Sequence, residues 1–245
     1  MRWLCGMCLM LLAVSPALAQ GAGPSALLDA FEQADGQTAG RVIQLAGLLT
    51  VLSVAPGLLV TLTSFTRIVI ALSFLRSGLG LPATPSNLIM ITLALFMTGF
   101  IMAPVFEEAH RNGFQPLIEN SISEEEAIMR IAEPFRGFMS ANVRDADLQL
   151  FEDLAGVAAA APGEAAPYRI LVPAFLVSEL RRGFEIGFLI LLPFLVIDIV
   201  VATLTMSMGM MMLPPTVLSL PFKVLFFVLI DGWNLLVGSL VRSFA

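Results

Sequence analysis

The chain has 245 residues, 58% of them hydrophobic and 13% charged, with a mean hydropathy of +0.90 and a formal net charge of −6. A soluble domain averages roughly 45–50% apolar and about 25% charged residues, so a soluble globular protein is excluded, and the acidic balance gives nucleic-acid binding no electrostatic support. The apolar residues gather in long runs between polar stretches, the distribution that bilayer spans require.

Residues 1–19 read as a secretory signal peptide. Arg2 supplies the positive start, 3–14 form an apolar run, and Ala17-Leu18-Ala19 is a small-x-small site that places cleavage between Ala19 and Gln20. An uncleaved anchor is the alternative, but the run is shorter than the ~20 residues a span needs. Cys5 and Cys8, the two cysteines, both lie in this segment, so the mature chain is expected to have no disulfide and no thiolate metal site.

Residues 20–41 are small and polar and read as a flexible mature N-terminus. Residues 42–75 are apolar but interrupted by Pro56-Gly57 and by Arg67, which predicts a helix kinked or broken at the Pro-Gly pair. Turn residues fill 77–87, and 88–106 form a second span closed by Pro104 and Glu107-Glu108, completing a first hydrophobic hairpin over 42–106.

Residues 107–170 change character, with twelve acidic against five basic residues and no long apolar run. Ser123 followed by Glu124-Glu125-Glu126 is an N-cap with a capping-box glutamate. Ile128, Ile131, Phe135 and Phe138 then recur at helical spacing, predicting an amphipathic helix bent near Pro134. A second helix is expected over 148–161 and a linker over 161–167; His110, the single histidine, reads as a solvated surface residue.

A second hydrophobic hairpin is expected over 171–245: an apolar stretch over 170–206, the turn MSMGMMMLPP at 206–215, and a last stretch over 218–241. Together these segments predict an all-α polytopic membrane protein, with four hydrophobic helical segments and a helical insertion. Signal cleavage would put the mature N-terminus outside, the end of the first span near Arg76 in the cytoplasm, and 107–170 in the periplasm. Arg181 and Arg182 then fall at the outer end of the third stretch, against the positive-inside rule.

Two groups of residues stand out. Charges inside apolar sequence are costly and need partners or water, so Arg67, Glu179, Arg181, Arg182, Glu185, Asp198, Lys223 and Asp231 are candidates for a buried charge network. A proton or ion relay is the functional alternative. Met206, Met208, Met210, Met211 and Met212 place five methionines in seven residues. Methionine is unbranched and polarizable, so such a loop can close a pore and reshape around a passing chain; core packing and a Cu(I) site are the other readings. Gly183 and Gly187 form a small-xxx-small pattern that permits close helix approach. No phosphate loop, His/Cys cluster or nucleophile elbow is present, so no enzyme, cofactor or metal is expected.

Three strings are more specific: SFTRIVIALSFLRSGLG (64–80), LALFMTGFIMAPV (93–105), and the run over 171–244 that includes LVPAFLVSELRRGFEIG, DIVVATLTMSMGMMMLPP and FKVLFFVLIDGWNLL. They resemble the FliP family of the flagellar type III export gate and, more distantly, its injectisome counterparts. The turn LPATPSN departs from the family's Gln- and Pro-rich loop, and 20–41 and 152–167 carry no recognisable motif. The resemblance implies several copies of the subunit assembling with FliQ and FliR in the inner membrane at the flagellar basal body, then with the rest of the export apparatus. The complex would pass unfolded flagellar proteins, with the methionine turn as its gasket. It also implies tilted hairpins rather than plain spans. An injectisome gate subunit, or an ion or solute transporter, are the alternatives; the signal peptide and the insertion favour the flagellar branch, and no internal repeat supports a transporter.

Overall fold

The computed structural model describes residues 60–81, 84–157, 166–209 and 214–244, with positions 46, 47, 49, 50, 53, 57 and 58 before them. The signal segment, the cleavage site at Ala19 and Gln20, Pro56, and Met210, Met211 and Met212 lie outside these residues. The chain divides into two units, Met1–Ala55 and Pro56–Ala245. The described residues of the second unit are helical, with no strand among them.

Helix α1 (Phe65–Leu79) starts after a break at Thr63-Ser64 and ends where Gly80 adopts the left-handed conformation that a side chain disfavours. Helix α2 (Asn87–Ala109) is capped by Ser86, whose hydroxyl accepts from the Ile89 amide. Contrary to expectation, Pro104 does not close it. The helix runs through that proline into a π-helical turn (His110–Phe114) and a last helical turn (Gln115–Ile118).

Helix α3 (Glu124–Asn142) starts as its sequence predicts, with Ser123 accepting from the Glu126 amide at 3.2 Å. The Glu126 carboxylate does not close a capping box but pairs with Arg130 at 2.6 Å. Pro134 lies buried inside the continuous helix. The buried seam passes through Ala127, Pro134 and Met139, flanked by half-buried Ile131, Phe135 and Phe138, while Ile128 points outward. Helix α4 (Asp145–Ala155) is shorter and earlier than expected, ending at left-handed Gly156.

Helix α5 (Tyr168–Ser207) has 40 residues and passes through Pro173 and Pro193. At 1.5 Å per residue it is about 60 Å long, twice the ~30 Å of a bilayer core. Its apolar second half, 186–207, holds one charge, Asp198, and is long enough to cross a bilayer without the first half. The final hydrophobic stretch is two helices, α6 (Pro215–Leu229) and α7 (Gly232–Arg242), bent by 63° at Asp231. Among the described residues, two helical segments can cross a membrane by length and composition, 87–118 and α5, or three if α6 and α7 form one broken span.

The main core joins α1 and α2 to α5, α6 and α7 around Ile68, Leu72, Ala94, Phe194, Phe227 and Leu240. A smaller cluster around Met139, Leu171 and Phe175 docks α3 on the first half of α5. Helices α1 and α5 run in the same direction: Arg67 meets Glu179, Ile70 lies against Gly183, Phe74 against Gly187, and Phe194 against Gly78. The glycine pair is thus a real crossing point. A Cβ on Gly187 would come within 2.5 Å of the Phe74 ring, whereas one on Gly137 would meet nothing within 4 Å. We expect Gly187→Ala to destabilise the subunit by about 1–3 kcal/mol through overpacking, and Gly137→Ala to stabilise it by about 0.5–1 kcal/mol. Opposite shifts of the thermal unfolding midpoint in detergent check both.

Candidate functional site

Each charge in an apolar bundle must be neutralised locally or excluded from it. The eight candidate charges do not join into one network; they separate into distinct groups with different exposure.

The innermost group centres on Arg67, which is wholly buried with Glu179. Its Nε donates to Glu179 Oε2 at 3.0 Å and its Nη2 donates to Oε1, the two-pronged geometry that planar guanidinium and carboxylate favour. The remaining Nη1 donates to the Ser243 carbonyl at 2.8 Å and to the Ser243 hydroxyl at 3.0 Å. The Phe244 ring lies under the guanidinium, 3.6 Å from its carbon to the ring centroid. That ring stacks on Phe138 of α3, which meets Phe175 of α5 edge-on. Arg182 is half-buried and acts electrostatically on both members of the pair. Two segments distant in sequence, α5 and residues 243–244, therefore converge on one arginine, and α3 joins them through Phe138 on Phe244.

The second group lies toward the other end of α5. Lys223 of α6 donates to Asp198 at 2.6 Å, and the Ser219 hydroxyl donates to the other carboxylate oxygen at 2.5 Å. Lys223 is nearly buried, while Asp198 keeps 28% of its side chain exposed.

The remaining candidates are not buried in the single chain. Arg181 pairs with Glu185 at 3.3 Å, both more than half exposed. Asp231 is exposed, sits in the left-handed region at the α6–α7 corner, and accepts from Asn234 at 3.1 Å. The sequence reading also missed partners. Arg144 reaches Glu185 at 3.6 Å, and its amide donates to Ser178 Oγ, whose hydroxyl donates to buried Asp147 at 2.7 Å. These contacts fasten the insertion to α5. A basic residue at the start of an acidic helix was the available signal for Arg144; an aromatic near Arg242 was the signal for Phe244.

Of the methionines, Met206 and Met208 are 64% and 73% exposed at the end of α5. Beside them an apolar groove of about 530 Å³ runs between α5 and α6, lined by Val196, Val200, Leu204, Met208, Leu218 and Phe222. Among the described residues no group of three or more His, Cys, Asp or Glu side chains is arranged to hold a metal.

Truncating one partner of a buried pair costs roughly 3–5 kcal/mol, whereas replacing both by apolar groups of similar size is often neutral. Arg67→Met and Glu179→Met should each abolish recovery of folded protein from membranes, and the double variant should restore part of it. Lys223→Met should cost less, because Asp198 keeps the Ser219 hydroxyl as a partner. Yield and monodispersity in detergent report all four.

Residues 48–240 match the FliP family. The chain is 64% identical over 214 residues to the flagellar biosynthetic protein FliP of Agrobacterium fabrum, covering 86% of this chain and 87% of that one. It is 65% identical over 212 residues to the protein of that name from Rhizobium meliloti, covering 86% of each. For the Bacillus subtilis protein the identity is 49% over 217 residues, covering 89% of this chain and 98% of the relative. With the match extending from the first apolar stretch through α7, the chain belongs to the FliP family.

Proposed function

We propose that the chain is one of several identical subunits that assemble with FliQ and FliR in the inner membrane and line the pore of the flagellar export gate. Membership in the FliP family makes it a component of the flagellar type III export apparatus and a structural part of the gate, not an enzyme. Its unfolded substrates would pass along the assembled axis, driven by other components.

The observation that carries the pore reading is the end of the α5–α6 hairpin. Met206 and Met208 stand exposed on an apolar tip with a groove beside them, and the sequence continues into three more methionines. Methionine side chains exposed in this way are flexible and suited to sealing. In this reading neighbouring copies and FliQ and FliR cover the exposed apolar faces of α5 and α6, and the methionine turns ring the constriction. The engagement of Asp198 by Lys223 and Ser219 favours structural pairing over an ion relay.

The orientation follows the domain plan read from the sequence: a cleaved signal over 1–19, a first hairpin over 42–106, a periplasmic insertion over 107–170 and a second hairpin over 171–245. Two observations support it. Helices α1 and α5 point the same way, as two segments entering from one side must. The exposed pair Arg181–Glu185 lies in the first half of α5, beside the insertion and apart from its apolar second half.

Two outcomes check these readings. Replacing Met208, Met210, Met211 and Met212 together by alanine should leave assembly intact and let ions leak across the membrane, whereas single Met→Leu changes should be mild; conductance and complex yield measured on one preparation separate a seal from a packing role. A Glu125→Cys variant should react with a membrane-impermeant maleimide in intact spheroplasts, and labelling only after lysis would overturn the orientation.

A further inference from the structure

The turn joining α1 to α2 carries a feature that the pore reading does not use. A shallow cavity of about 300 Å³ opens between Arg76, Ser77, Gly80 and Leu81. Arg76 is half-buried there, and its guanidinium donates to the Asn87 side-chain oxygen, a neutral acceptor. Among the described residues no carboxylate lies within ion-pair distance of it. The Lys223 ammonium approaches the same corner, 3.7 Å from where a Cβ on Gly80 would stand, but is engaged by Asp198. Two cations and one carboxylate leave the corner net positive. The first turns of α2 beside it are strongly apolar and exposed, with Leu88 at 74% and Ile89 at 59%.

A half-buried guanidinium with unused donors suits a phosphate oxyanion, which can take two parallel N–H bonds from it. The exposed leucine and isoleucine beside the cavity suit hydrocarbon. We infer that this corner binds the phosphate of an acidic membrane lipid, with Arg76 holding the headgroup and the start of α2 supporting an acyl chain. A soluble phosphate ester shares the anionic chemistry but leaves the apolar flank without a purpose. The inference rests on the proposed orientation, which brings the α1–α2 turn to the cytoplasmic face, where basic pockets at the ends of spans meet acidic headgroups.

The test uses the full chain in its assembled membrane complex, purified in mild detergent. The complex is titrated with phosphatidylglycerol, phosphatidylcholine or glycerol 3-phosphate, and bound molecules are counted by native mass spectrometry. The wild type should retain phosphatidylglycerol in preference to phosphatidylcholine. Arg76→Gln should lower that retention about fivefold, the effect of removing one interfacial cation, and Arg76→Lys should restore much of it. Asn87→Ala leaves the charge in place and removes the competing acceptor, so retention should hold or rise. Equal retention of phosphatidylglycerol by the wild type and Arg76→Gln, or no preference over phosphatidylcholine, overturns the site. Binding of glycerol 3-phosphate without the lipid overturns the lipid source. If Arg76→Gln does not assemble, the lipid preference of the wild type and of Asn87→Ala still decides the matter. A negative lipid result leaves the export-gate reading untouched, and a failed Glu125→Cys labelling with lipid retention intact removes the orientation and with it the cytoplasmic placement of the site, but not the site.

Discussion

The buried pair Arg67–Glu179 is the constraint around which the rest of the subunit is arranged. An arginine with no solvent exposure is tolerated only if every face of the guanidinium is met, and here the faces are met by elements far apart in sequence: Glu179 of α5, the Ser243 carbonyl and hydroxyl, and the Phe244 ring. Satisfying that one side chain brings α5 against α1 and the segment after α7 against both. The stack of Phe244 on Phe138 then extends the same contact to the insertion. A polar requirement thereby acts as a positional one, since apolar faces alone slide past one another at little cost.

The close crossing of α1 and α5 follows from that anchor. With Arg67 and Glu179 in register, the next contacts along two helices running the same way fall at Gly183 and Gly187, where the absence of a side chain lets Ile70 and Phe74 seat directly on the α5 backbone. One turn of slippage would put Phe74 against Leu191 in one direction and Ile70 against Glu179 in the other. The salt bridge and the glycines therefore specify the same register by independent means, one electrostatic and one steric.

The length of α5 resolves the arginines that conflict with a simple span. A helix of 40 residues is about twice the thickness of a bilayer core. Its first half packs against α3 and α4 and carries Arg181, Arg182 and Glu185, with Arg144 and Asp147 of the insertion contributing to the contact. Its second half is apolar apart from Asp198, which Lys223 and Ser219 engage. The second half also leaves Phe188, Leu189, Ile199 and Leu204 more than half exposed, an apolar surface suited to lipid or other subunits rather than to water.

The sequence by itself determined what depends on neighbours within a turn or two, and on composition: the membrane class, the helical character, the cap at Ser123 and the family. It also marked Arg67, Glu179, Asp198 and Lys223 as charges in need of partners, because a charge in an apolar run is visible without a fold. Which partner each takes was decided only by the tertiary structure. Arg67 and Glu179 stand 112 residues apart, and helical periodicity carries no information over that distance. The same limit applies to Pro104, read locally as a stop yet held inside a continuous helix. A proline removes one backbone hydrogen bond, but unwinding an apolar helix leaves several unsatisfied in surroundings without water. The packed surroundings, and not the residue, settle that balance.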